Sequence, residues 1–138
     1  MAEEDIPKLA GGNPILSEFG AFYPIGHIIA AFEREEDAQK VRQDLFTGGY
    51  EESECEIAPC AFVIEAAERN INSSGFLARI GASVKFMEKH LEVAKRGATF
   101  LLIYAPNLLD CERAMRVVRR VPLILAHRYT RLAIQELE

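Results

Sequence analysis

The segment Ala98-Thr99-Phe100-Leu101-Leu102-Ile103-Tyr104-Ala105 constrains the fold more than any other stretch of the chain. It is short, follows Gly97, precedes Pro106-Asn107, and predicts a strand that is apolar on both faces. A strand with one wet face alternates apolar and polar residues, so this one has to be covered on both sides. The chain therefore needs a sheet with something packed on each face. A helical insert, an N-terminal arm or another subunit are the candidates for the second cover.

The flanking sequence supplies the rest of the sheet and its first cover. After Gly26, the run His27-Ile28-Ile29-Ala30-Ala31-Phe32 reads as a strand, and the period then changes. Glu35 to Phe46 places Ala38, Val41, Leu45 and Phe46 on one side and Glu36, Gln39, Lys40 and Gln43 on the other, as in a surface helix that Gly48-Gly49 ends. Glu54 to Ala58 predicts a short strand with Cys55 and Ile57 sharing a face. Phe62 to Asn70 predicts a short helix. Ser73-Ser74 then opens a longer one, in which Leu77, Ile80, Val84, Met87, Leu91 and Ala94 form a stripe at spacings of three and four, stopped by Gly97. Its period fits helix packing, either as a subunit interface or as internal core. Beyond the central strand, Asn107 and Asp110 form an N-cap close to a capping box for a helix to about Arg120, burying Cys111, Ala114 or Met115, and Val118. Leu123 to His127 predicts the last strand, and Arg128 to Glu138 is a mixed tail, either extended or helical.

The order is strand, helix, strand, helical insert, strand, helix, strand. Without the insert it is βαββαβ, the split unit of the ferredoxin-like fold. The expected class is therefore α+β: one ferredoxin-like domain over residues 25–138, with a helical insert over about 61–97 between its second and third strands. Residues 1–24, broken by Gly11-Gly12-Asn13-Pro14 and Pro24, read as an N-terminal arm that still carries Ile15, Leu16, Phe19 and Phe22.

Several stretches resemble small bacterial general-stress-type proteins. They are Gly26 to Phe32 followed by Glu36-Asp37-Ala38 and Gly48-Gly49-Tyr50, the approach His90 to Gly97 into an apolar strand, and the closing Arg128-Tyr129-Thr130-Arg131 with Ile134 and Leu137. The chain lacks the glycine-rich apolar segment that many such proteins carry between the second and third strands. The resemblance implies a ferredoxin-like fold and stress association. It brings no catalytic residues with it.

Composition narrows the setting. The 138 residues are 49% hydrophobic and 27% charged, which fits a chain with a packed core and argues against wholesale disorder. Cys55, Cys60 and Cys111 are an odd set without CxxC spacing, and the start resembles no secretory leader. No stretch reaches the roughly 20 apolar residues of a membrane span. A cytoplasmic protein without membrane attachment is the expectation. The net charge of −5 hides a split: residues 1–60 carry 13 acids and 4 bases, residues 61–138 carry 8 acids and 12 bases. Such a split favours self-association more than binding to phosphate, because an acidic chain repels nucleic acid at long range.

Polar residues that chemistry would need are few. His27, His90 and His127 belong to no HxH, HExxH or Cys/His pattern, so no metal site is expected. His27 and His127 fall on the first and last strands, which are neighbours in this fold, and with Tyr104 they form the candidate ligand site; histidines satisfied by hydrogen bonds at a sheet edge are the competing reading. Cys55 and Cys60 are separated by Pro59 and can meet only after a turn. Arg113, Arg116 and Arg120 share a helical face suited to an anion or a partner, though a solvated or salt-bridged face is the simpler reading. No phosphate loop, dinucleotide fingerprint or nucleophile elbow is present, so neither cofactor nor catalytic residue is assigned. The leading expectation is a non-catalytic regulatory or stress-associated interaction module, homo-oligomeric and able to take a small ligand or protein partner. The alternative is a small-molecule enzyme using His27, Tyr104 and His127 between sheet and insert. A nucleic-acid adaptor using the arginine face ranks third.

Overall fold

The doubly apolar segment forms an internal strand whose faces are covered by two different pairs of helices. The computed structural model describes residues 25–58, 60–71, 84–130 and 134–137. In chain order these form β1 (His27–Phe32), α1 (Glu35–Thr47), a 3-10 turn (Glu52–Glu54), β2 (Cys55–Ala58), α2 (Cys60–Ile71), α3 (Val84–Lys95), β3 (Thr99–Tyr104), α4 (Leu108–Val118), β4 (Leu125–Tyr129) and β5 (Ile134–Glu136). The architecture is α+β. The strands make one sheet in the order β2-β3-β1-β4-β5, with every neighbouring pair antiparallel.

Register fixes which side chains share a face. Ile29 sits opposite Leu102 of β3 and His127 of β4, while Ala30 sits opposite Leu101 and Ala126. Because successive strand residues alternate sides, Ile28, Ala30, Phe32, Leu101 and Ile103 form one face. That face is covered by Ala38, Val41 and Leu45 of α1 and by Cys111, Ala114, Met115 and Val118 of α4. The other face carries Ile29, Ala31, Phe100 and Leu102 and is covered by Val63 of α2 and by Val93 and Ala94 of α3. The second cover is therefore the insert, supplied by the same chain. The arm over residues 1–24 lies outside the described residues.

The helix ends follow the chemistry of their flanking residues. Asn107 caps α4, its Oδ1 accepting from the Asp110 backbone N–H at 2.9 Å. Glu35, Glu36 and Asp37 fill the first turn of α1, where the positive end of the helix dipole favours acids. Gly97, at φ 89°, turns the chain out of α3 into β3 in a conformation that side chains disfavour.

Two expectations need correction. The last large strand is Leu125–Tyr129, not Leu123 to His127. The pairing explains the shift: β1 ends at Phe32 and its last bridge to β4 joins Ala31 to Leu125, so Leu123 has no strand beside it. Ile124 still donates its N–H to Ala31 O at 2.9 Å before the ladder begins. The tail left open as extended or helical forms β5, pairing Ile134 with Tyr129 and making the sheet five-stranded where four were expected.

Candidate functional site

All three histidines of the chain stand on the insert side of the sheet. His27 and His127 follow from alternation, since Ile29, two residues after His27, faces the insert and pairs with His127. Tyr104 is on the same face as Phe100 and Leu102, directly opposite His27 in the β1–β3 register. The His27 and Tyr104 rings are 5.3 Å apart between centroids. The three residues expected as a ligand site therefore share one face.

His90 and Tyr129 join this group. His90 comes down from α3 one helical turn before Ala94, and both are buried. Its Nε2 is in hydrogen-bond contact with His127 Nδ1, and the rings lie 4.7 Å apart. Tyr129 Oη stands 3.2 Å from His90 Nδ1, and the Phe100 ring meets His90 edge-on. The three side chains make a chain from β4 to α3 and back to β4.

The hydrogen-bond chemistry of this chain is directional. If the Tyr129 hydroxyl donates to His90 Nδ1, the His90 proton sits on Nε2 and is donated to His127 Nδ1; the reverse order satisfies the same contacts. Either way both rings are neutral. Burial first, and then the neighbouring His127, holds His90 far below the usual imidazole range, and burial does the same for His127. His27 donates its Nδ1–H to Ile25 O at 3.2 Å, which fixes the tautomer of the uncharged ring with Nε2 as its acceptor.

The other expected residues are distributed differently. The arginines belong to the opposite side of the sheet, on α4. All three are exposed; Arg113 stacks over the Tyr50 ring at 5.1 Å and Arg120 pairs with Asp44 of α1 at 3.5 Å. Arg128 lies on the same side of the sheet, opposite Ile28 in register, and donates to Pro106 O at 3.1 Å. Of the stripe, Leu91 is half-buried and Ala94 is buried against the sheet. Leu77 and Ile80 and the side chains of Val84 and Met87 lie outside the described residues. Cys55 and Cys60 are both free and pack against opposite faces of the sheet. Burial pushes the Cys55 thiol up to about 12 and raises that of Cys111, so neither is a ready nucleophile.

Among the described residues no group of three or more His, Cys, Asp or Glu side chains is arranged to hold a metal ion, and no helix is long and apolar enough to cross a membrane. No protein-family model, curated protein or solved structure matches the chain.

Sequence reasoning missed His90 and Tyr129 as members of the site. The signal for His90 was its place four residues before Ala94, a polar group on the face that also buries Val93. Tyr129 was hidden because the last strand was expected to end at His127; continued by two residues, alternation places Tyr129 beside it.

Proposed function

We propose that the chain is a non-catalytic regulatory or stress-associated interaction module that takes a small ligand at the histidine and tyrosine cluster under its insert. The observation carrying this reading is the gathering of His27, His90, His127, Tyr104 and Tyr129 on one sheet face. Neutral imidazoles and phenols in an apolar surround offer oriented donors and acceptors, the usual makings of a specific binding site. They are poorly matched to proton transfer near neutral pH, which asks for a pKa close to the working pH, whereas burial holds His90 and His127 well below it. The fold belongs to the same proposal: strands in the order β2-β3-β1-β4, with α1 and α4 on one face, support a ferredoxin-like core to which β5 is an addition. Self-association is supported by the charge split and by the exposed Leu108 and Leu109 at the start of α4.

Native mass spectrometry of the full chain, with light scattering on the eluting peak, tests these parts separately. The expected result is a multimer carrying a small passenger that is lost in a Tyr104→Phe, His127→Gln double variant. A monomer removes the self-association, and an empty protein that gains no thermal shift from any compound in a broad metabolite panel removes the ligand.

The alternative, a small-molecule enzyme using His27, Tyr104 and His127, draws support from the His27–Tyr104 ring contact and the settled tautomer of His27. Chemical conversion of an added compound, abolished by His27→Gln, would favour it.

A further inference from the structure

We propose that the buried contact between His90 of α3 and His127 of β4 is an acid-sensitive latch that holds the insert on the sheet and, when opened, uncovers the apolar face formed by Ile29, Ala31, Phe100 and Leu102. This goes beyond ligand binding and does not depend on it.

The geometry sets how such a latch works. One N–H is shared between His90 Nε2 and His127 Nδ1 while both rings are neutral. A single added proton can be accommodated, because a cationic ring still donates to a neutral one. A second proton leaves two N–H groups pointing at each other and two like charges in a site where both residues are almost fully buried. Tyr129 meets the pair at His90, its hydroxyl 3.2 Å from Nδ1. The depressed affinity of both rings for protons, caused by burial, is what a neutral latch under strain from acid requires.

The surrounding titratable groups shape the response. From β1 and β3, His27 and Tyr104 share the sheet face; Cys60 packs against the same core from α2. From β5, Glu136 sits opposite His127 in register and is exposed. The charged neighbours of His90 on its own helix, Glu88, Lys89 and Glu92, are exposed.

Among the described residues the opposite face has no counterpart to this contact. Its helices α1 and α4 cover the sheet with Ala38, Val41, Leu45, Ala114, Met115 and Val118, and its titratable members, Tyr50, Cys55 and Cys111, have their pKa values raised by burial and so stay neutral through the acid range. Acid should therefore release α3 while leaving that side closed. Two thiols report on it from within: Cys55 and Cys111 are buried there.

The test is hydrogen exchange of the full chain read by mass spectrometry between about pH 7.5 and about pH 4.5, a range that brackets the ordinary imidazole pKa, with thiol accessibility followed by a disulfide reagent active in acid. The expected result is an α3 opening equilibrium that rises, after correction for intrinsic exchange, by up to about a hundred-fold per pH unit for a two-proton event, while Cys55 and Cys111 stay protected. His127→Gln, which keeps a hydrogen-bonding group and cannot take a proton, should flatten that rise, and His90→Gln should do the same. Loss of protection on both faces together overturns the latch, as does a His127→Gln protein whose α3 opens with the wild-type pH dependence. Should neither variant fold, the wild-type comparison of α3 against Cys55 and Cys111 decides alone.

Discussion

The two faces of the sheet solve the same problem with different materials. On one side α1 and α4 bury an apolar layer around Ala30, Leu101 and Ile103. On the other, α2 and α3 bury a comparable apolar layer but enclose His90, His127 and Tyr129 within it. An apolar contact keeps its strength from acid to neutral pH, whereas buried imidazoles lose theirs as protons become available. On the proposed latch, the first face is a support and the second the place where acidity is felt. A polar network is retained here at a cost in desolvation, which is the expected mark of a region shaped by more than stability.

That contrast can be broken most severely by placing a charge on each face in turn. Ala30 and Ala31 are adjacent, both wholly buried, and point to opposite sides. Ala30→Asp should abolish folding, because an unpaired buried carboxylate costs several kcal/mol; Ala31→Asp should displace the insert and keep much of the helical circular dichroism signal, with Cys55 still protected. Equal loss of signal in the two variants would end the distinction. Next in size is Phe100→Ala, which should lower stability by about 3–5 kcal/mol in urea denaturation, since Phe100 is fully buried at the centre of the insert side.

The pH response comes third. The folded-state pKa values of His90 and His127 lie below the unfolded value, so the unfolded chain binds more protons and stability falls as pH drops below about 6.5, by up to about 1.4 kcal/mol per pH unit for each histidine. It should be level above that point. Urea midpoints at a series of pH values measure the slope, and His127→Gln should reduce it. The smallest effect expected is that of Asn107→Ala at the start of α4, about 1 kcal/mol from loss of the cap, with no change in the acid response because the cap lies away from the histidines.

Much of the frame was legible because it is written in local periods. Spacing expected Cys111, Ala114 or Met115, and Val118 inward on α4, and all four are buried; of Ala38, Val41, Leu45 and Phe46 on α1, the first three are buried and Phe46 is half-buried. The need for two covers followed from β3 alone. The limits of β4 were not legible, because they depend on where β1 stops and not on the apolar run Leu123-Ile124-Leu125. Nor was β5, whose Ile134-Gln135-Glu136 is too short to show a period and is held by pairing with β4. The same division runs through the site. His27, Tyr104 and His127 could be placed on one face from strand order and alternation. Bringing His90 over β4 depends on how α3 lies across the sheet, a tertiary relation that no local pattern encodes.

Among the described residues the sheet ends, on both sides, in very little strand. Its outer members β2 and β5 have four and three residues, and the Cys55 carbonyl on β2 already accepts from Arg42 Nε at 3.0 Å. A neighbouring molecule seeking to extend the sheet would find only a few backbone groups to pair with, the arrangement by which natural sheets avoid edge-to-edge growth. The apolar stretch Phe100-Leu101-Leu102-Ile103, which by composition would be prone to fibrillar stacking if left bare, is kept two strands' edges away from solvent by β2 on one flank and β1 on the other. Crowding many copies together would therefore bring helix side chains, rather than open backbone, into contact first.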